Sequence, residues 1–176
     1  MLTSRIARFE DLGVLRALMH RAIAQLQSNY LTPEQVAASY RVMGLDTQLI
    51  EDQTYFVVEM NDRIVGCGGW SFRSTLFGGD DSIVKREPTR VDPEIGSAKI
   101  RAMYTDPDFP RLGIGTMIVA ACEAAAHAHG FQRVELMATA AGVPFYRSQG
   151  YLPADDLYHA DVDGVAVPLL RMSREL

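Results

Sequence analysis

Apolar residues recur at helical spacing beyond Asp11: Leu15, Leu18, Met19, Ala22, Ile23 and Leu26 share one face, the mark of an amphipathic helix. Asp11 stands where a cap is needed, and residues 4–10, SRIARFE, read as a short first strand. A second helix opens in LTPEQVAASY, with Thr32 as N-cap, Pro33 in the first turn and Gln35 closing a capping box. The pattern then becomes strand-like. Residues 54–60, TYFVVEM, and 63–72, RIVGCGGWSF, flank an Asn61-Asp62 turn and predict an antiparallel hairpin. Gly66, Gly68 and Gly69 weaken its second strand and predict a bulge or a close backbone approach.

Residues 73–97 carry no sustained period. A loop of this length in a small domain is usually functional or mobile, and a lid, a dimer contact and disorder all remain open. Periodicity resumes with a strand at 98–105, a helix from about Gly115 to His129 stopped by Gly130, and a strand at 133–139. A short helix follows at 143–150, with Pro144 near its start and Gly150 as its stop, and two strands surround the Asp163-Gly164 turn. A central β-α-β unit with antiparallel flanks predicts an α/β (α+β) fold, with helices on both faces of a mixed sheet. With no repeat or linker in view, residues 1–176 read as a single domain.

Composition narrows the function classes. At 48% hydrophobic and 22% charged, the chain is ordinary for a soluble globular protein. No apolar run approaches the ~20 residues that cross a bilayer, and the N-terminus lacks a leader pattern, so the expectation is a cytoplasmic protein. The net charge of −5, with no basic patch, argues against nucleic acid as a partner. It suits a cationic or neutral partner, weakly, because charge mainly reports solubility and steering. Cys67 and Cys122 are too few for a disulfide framework and match no zinc spacing, so both read as core residues. His127 and His129 are two apart on one helix, do not share a face, and form no metal pair.

The candidate chemistry lies in RLGIGT, residues 111–116, between a strand and a helix. The first N–H groups of a helix lack internal partners and carry partial positive charge. Glycine lets a phosphate approach them. The known phosphate motifs fail, however. No Gly-Lys pair exists for a P-loop, and Ile118 stands where a dinucleotide fingerprint needs its third glycine.

Two segments together resemble the GCN5-related N-acetyltransferases (GNAT). IRAMYTDPDFPRLGIGTMIVAACEAAAHAHGF resembles their strand, [Q/R]-x-x-G-x-[G/A] turn and helix. VELMATAAGVPFYRSQGY resembles their strand, tyrosine-bearing short helix and Gly-aromatic pair. The specific match spans about residues 98–152, and the element order fits nearly the whole chain. The resemblance implies a GNAT-like fold with a mostly antiparallel mixed sheet, acetyl-CoA as cosubstrate without a metal, and an amine acceptor. It implies a pyrophosphate seat on the backbone of Arg111, Leu112, Gly113, Ile114, Gly115 and Thr116. The pantetheine arm would add along Met103, Tyr104 and Thr105 as an extra strand. Two positions depart from the family: Pro110 stands at the [Q/R] position, with Arg111 next to it, and Thr139 at a position often asparagine. The family is often dimeric.

The resemblance makes Tyr146 the acid that protonates the departing thiolate. A backbone N–H near Met103 or Tyr104 would stabilise the oxyanion. Glu94, Asp106 and Glu135 are the candidate bases, with Asp106 equally suited to capping the turn at Pro107 and Glu135 to an ion pair. Tyr30, Tyr40 and Trp70 line an acceptor pocket or fill the core. Arg63, Arg73, Lys85, Arg86 and Arg90 read as a solvated face. A non-catalytic CoA-binding or regulatory module of the same fold is the alternative.

Overall fold

A computed structural model describes all 176 residues. Strand β1 is Leu2–Ile6, and a 3-10 turn at Phe9–Asp11 leads into helix α1, Leu12–Leu26. The first strand therefore ends earlier than its sequence suggests. Asp11 does not cap α1 through its side chain. Its carboxylate instead accepts the Arg8 N–H and pairs with Arg5 at 2.8 Å. Helix α2, Pro33–Ser39, forms with the expected capping box between Thr32 and Gln35. A short helix α3, Thr47–Glu51, has no apolar period of its own; Asp46 caps it by accepting the Gln48 N–H.

Strands β2 (Tyr55–Met60), β3 (Arg63–Ser71) and β4 (Ala98–Thr105) precede helix α4, Ile114–Ala128. Strand β5 (Arg133–Thr139), helix α5 (Val143–Ser148) and strands β6 (Leu152–Pro153), β7 (Tyr158–Val162) and β8 (Val165–Glu175) complete the chain. Positive φ at Asn61 and Asp62, and at Asp163 and Gly164, forms the two tight hairpin turns. Helix α4 ends as expected: the Gly130 N–H reaches the His127 carbonyl and the Phe131 N–H the Ala126 carbonyl.

The strands form one sheet in the order β1-β2-β3-β4-β5-β8-β6, with β7 on β8. Every pair is antiparallel except β4–β5. Leu15, Leu18 and Ile23 of α1 pack with Tyr55, Val57 and Tyr104 on one face. Ile114, Ile118 and Cys122 of α4 pack with Trp70, Leu136 and Tyr146 on the other. Both cysteines are free and buried.

The glycines of β3 produce both effects expected of them. The β3–β4 register shifts between Cys67 and Gly69, and neighbours come too close for side chains. A Cβ on Gly68 would lie 2.6 Å from Ile118, and one on Gly69 2.8 Å from the Thr54 carbonyl oxygen. Residues 73–97 are tied down rather than free. The Ser74 N–H reaches the Thr89 carbonyl, and the Asp80 N–H the Leu45 carbonyl. Phe77 and Val84 pack onto Ala38, Val42 and β-strand residues Val162 and Leu169.

The close contact at Gly69 is with backbone, which cannot rotate away. Gly69→Ala is expected to lower the free energy of unfolding by about 1–3 kcal/mol. Gly13→Ala, where a Cβ meets nothing, is expected to raise it by about 0.4–1 kcal/mol. Urea unfolding followed by circular dichroism checks both.

Candidate active site

β4 and β5 pair in parallel at Ala98–Val134 and Lys99–Glu135, and at no later position. Ala102, with φ 49°, adds a bulge on β4 that turns the strand at the point of separation. The opening holds a cavity of about 850 Å³. Met103, Tyr104 and Thr105 of β4, the whole turn Arg111–Thr116, Thr139 of β5 and Tyr146 of α5 all line it. Residues separated by more than forty positions in the sequence thus share one space.

At one end stands the α4 N-terminus. Arg111 at φ 63° and Gly113 at φ 79° curl the chain through left-handed conformations, and Gly113 occupies the N-cap without a side-chain cap. The first helical bond runs from the Met117 N–H to the Gly113 carbonyl at 3.0 Å. The N–H groups from Gly113 to Thr116 therefore have no helical partner. A Cβ on Gly113 would meet no atom within 4 Å. Its role is the left-handed turn and open access to the amides. Pro110 removes none of these donors, because it precedes them.

Tyr146 is buried in the wall, its hydroxyl 3.7 Å from the Met103 sulfur and its ring edge-on to Phe145 and Tyr151. Burial first, then the Cys122 thiol nearby, raises its pKa well above the usual tyrosine value. Its proton is therefore retained through the physiological range. Thr139 Oγ1 accepts the Gly142 N–H at 3.2 Å and so shapes the β5–α5 turn, while its hydroxyl hydrogen stays available.

None of the candidate bases lines the cavity. Glu94 is exposed outside the central strand. Asp106 is buried under Arg21 at 2.6 Å and Arg63 at 2.8 Å. Its other oxygen accepts the Asp108 N–H, the capping role allowed for it. Glu135 sits between Lys99, at 2.7 Å, and Arg171. Burial pushes its carboxyl up, but the bonds from Lys99 and Arg171 outweigh burial and hold it below the ordinary range. No carboxylate lines the cavity at all.

The opposite end is built from α1, the segment after α2 and the 73–97 loop. Tyr30 reaches it, whereas Tyr40 stacks on His20 and Trp70 lies in the core against Phe131. Gln27, Gly44, Phe77 and Arg101 also line it, and the sequence reading did not single them out. Arg101 sits in an apolar strand pattern, and only the bulge reveals where it faces. Most of the arginines read as a solvated face are instead engaged. Arg63 binds Asp106, Arg73 makes two 2.7 Å bonds to Asp52, and Arg86 binds Asp46 and Asp80. Arg90 covers the Phe72 ring.

The model of the acetyltransferase (GNAT) family matches residues 20–151. The chain belongs to the GNAT family. Solved structures agree on the fold. A GCN5-related N-acetyltransferase from Rhodopseudomonas palustris superposes with TM-score 0.72 at 18% identity, covering 99% of this chain and 95% of that one. The PaiA N-acetyltransferase from Thermoplasma acidophilum, solved with coenzyme A, gives 0.63 at 11% identity over 100% and 99%. The ribosomal-protein-S18-alanine N-acetyltransferase from Escherichia coli gives 0.61 at 16% identity over 99% and 94%. No curated protein sequence matches the chain significantly. In this GNAT protein, then, the splayed strands, the glycine turn and Tyr146 sit within the matched residues.

The depressed Glu135 carboxyl contributes stability that is complete above its unfolded value of 4.5 and lost as pH falls through the lower folded value. The stability gap between wild type and Glu135→Gln is expected to be constant above about pH 6 and to shrink below pH 4.5. Denaturant titrations across pH measure it. Glu94→Gln is expected to leave the acetyl-transfer rate within about twofold of wild type, as an exposed substitution should.

Proposed function

We propose that this protein transfers an acetyl group from acetyl-CoA to an amine by direct attack. The carrying observation is one cavity that joins an uncapped helix N-terminus, an unladdered strand edge and a buried, protonated tyrosine. Acetyl-CoA, when bound, supplies a thioester whose carbonyl carbon the amine attacks, releasing a thiol.

The chain's own residues fit that cosubstrate. The backbone N–H groups of Gly113–Thr116 suit a pyrophosphate, and Arg111 beside them adds a positive charge. The β4 edge along Met103–Thr105 offers backbone groups to the amides of the arm. A β4 N–H near Met103 or Tyr104 suits the developing oxyanion. Tyr146 holds the proton that the leaving sulfur needs. Its raised pKa keeps it protonated and disqualifies it as a base near neutral pH. With no carboxylate on the cavity wall, the amine must enter neutral or lose its proton to solvent. We place this activity in the cytoplasm.

The absence of a wall carboxylate also favours a second reading, a CoA-binding module without turnover. A thiol-release assay with an amine panel, beside calorimetry with CoA, separates the two. Turnover above hydrolysis is expected; CoA binding without it would establish the second reading, and no CoA binding would refute both. Tyr146→Phe is expected to lower kcat by about 10²-fold or more with CoA affinity unchanged. Gly113→Val is expected to weaken CoA binding at least about tenfold, and Pro110→Arg to leave it nearly unchanged. Equal affinities in the last two variants would remove the glycine turn as the phosphate seat.

A further inference from the structure

The acceptor end of the cavity is largely apolar, with Ile23, Leu26, Phe77 and Leu169 in its lining, and beside the exposed Asn29 and Tyr30 two buried polar side chains interrupt it. The first is Gln27, the C-cap residue of α1. It is 4% exposed, and its Oε1 is buried without a hydrogen-bond partner. That oxygen is enclosed by protein, so Gln27 shapes the wall and does not offer the atom to a molecule in the cavity. The second is Arg101, whose side chain is 2% exposed. It donates from Nη2 alone, to Asp46 Oδ2 and the Gly78 carbonyl, both at 2.9 Å. Nε and Nη1 make no protein hydrogen bond. Asp46 has no oxygen left to offer the cavity: Oδ1 takes Arg86 at 2.6 Å and the Gln48 N–H at 3.1 Å.

Burial pulls the Arg101 guanidinium below its ordinary pKa, and Asp46 offsets only part of that. The group is thus under-compensated, and a ligand oxygen on its free N–H groups would relieve it. The wall offers no carboxylate to take a proton from an ammonium or to pair with one. A lysine ε-amine, with pKa about 10.4, is neutral in only about one molecule in 2,500 at pH 7. An α-amine at a peptide end, with pKa about 8, is neutral in about one in ten.

We propose that the acceptor is an α-amino carbonyl compound with an apolar side chain, its carbonyl or carboxylate oxygen held by the free N–H groups of Arg101. This rests on the acetyl-transfer reading above. The step balances as amine plus thioester giving amide plus thiol. The N–C bond forms and the C–S bond breaks; the nitrogen proton leaves to solvent, and sulfur takes its proton from Tyr146, which solvent then restores. A free amino acid and a peptide N-terminus share the oxygen for Arg101, but the carboxylate of the free amino acid keeps its amine more basic, so the peptide end is the better match to a site without a base.

The test is a thiol-release assay on the full chain with four probes of matched side chain: leucine, leucine amide, the peptide Leu-Ala-Ala and 3-methylbutylamine. Nα-acetyl-lysine is the ε-amine control. At least one α-amino carbonyl probe is expected to show kcat/KM about tenfold or more above 3-methylbutylamine and the lysine control, an energy of one charge-assisted hydrogen bond. Leucine against Leu-Ala-Ala tells a free amino acid from a peptide end. Arg101→Lys, which keeps a cation beside Asp46, is expected to raise KM for the preferred probe about tenfold. KM for acetyl-CoA should stay unchanged and KM for 3-methylbutylamine, which has no oxygen for Arg101, should rise far less than that of the preferred probe, a selectivity that a general loss of structure would not produce. Equal kcat/KM across the matched probes overturns the proposal, as does CoA binding with no turnover on any of them. Failure of CoA to bind in calorimetry instead overturns the acetyl-transfer reading on which the proposal stands.

Discussion

β4 and β5 are parallel neighbours that pair at two positions and then part, and the rest of the site depends on that separation. A parallel pair needs a crossover, and here α4 is the crossover. The helix must cover the sheet while starting beside the opening. The glycines of β3 allow this, because α4 packs against a strand nearly without side chains at Gly66 and Gly68. The bulge at Ala102 then redirects β4. Backbone that would otherwise be committed to a ladder instead lines the cavity.

Two groups of ion pairs stand where the strands begin to part. Lys99 and Glu135 lie directly across the last paired position, with Arg171 on the outer side. Arg101, Asp46 and Arg86 join β4, the start of α3 and the 73–97 loop. Buried pairs of this kind add little net stability over apolar packing, yet breaking one costs about 3–5 kcal/mol. Their effect is therefore positional: they hold the strand ends and the loop in a single arrangement around the cavity.

The proton inventory of the cavity is sparse. Tyr146 is a committed donor, and the carboxylates nearest to the site are engaged elsewhere, Asp106 under two arginines and Glu135 between two cations. A site without a resident base selects among acceptors by their own basicity. On the acetyl-transfer reading, that constraint, with a buried arginine in an apolar lining, would bear on the choice of acceptor more than the net surface charge does.

Local chemistry was legible in the chain itself. The capping box at Thr32, the stop at Gly130, the Asp163-Gly164 turn and the strand–glycine turn–helix order each rest on nearest-neighbour interactions, and each formed as read. So did the mixed sheet and the GNAT likeness, because both follow from element order and short motifs. Helix α3 escaped notice because a five-residue helix carries too little periodicity. The pairing of Arg101 and Arg86 with Asp46, of Arg73 with Asp52 and of Glu135 with Lys99 depends on contacts made across 21 to 55 positions. A charged residue in sequence announces neither its partner nor its face. A one-residue bulge at Ala102 sets where Arg101 lies, and only the folded sheet contains that bulge.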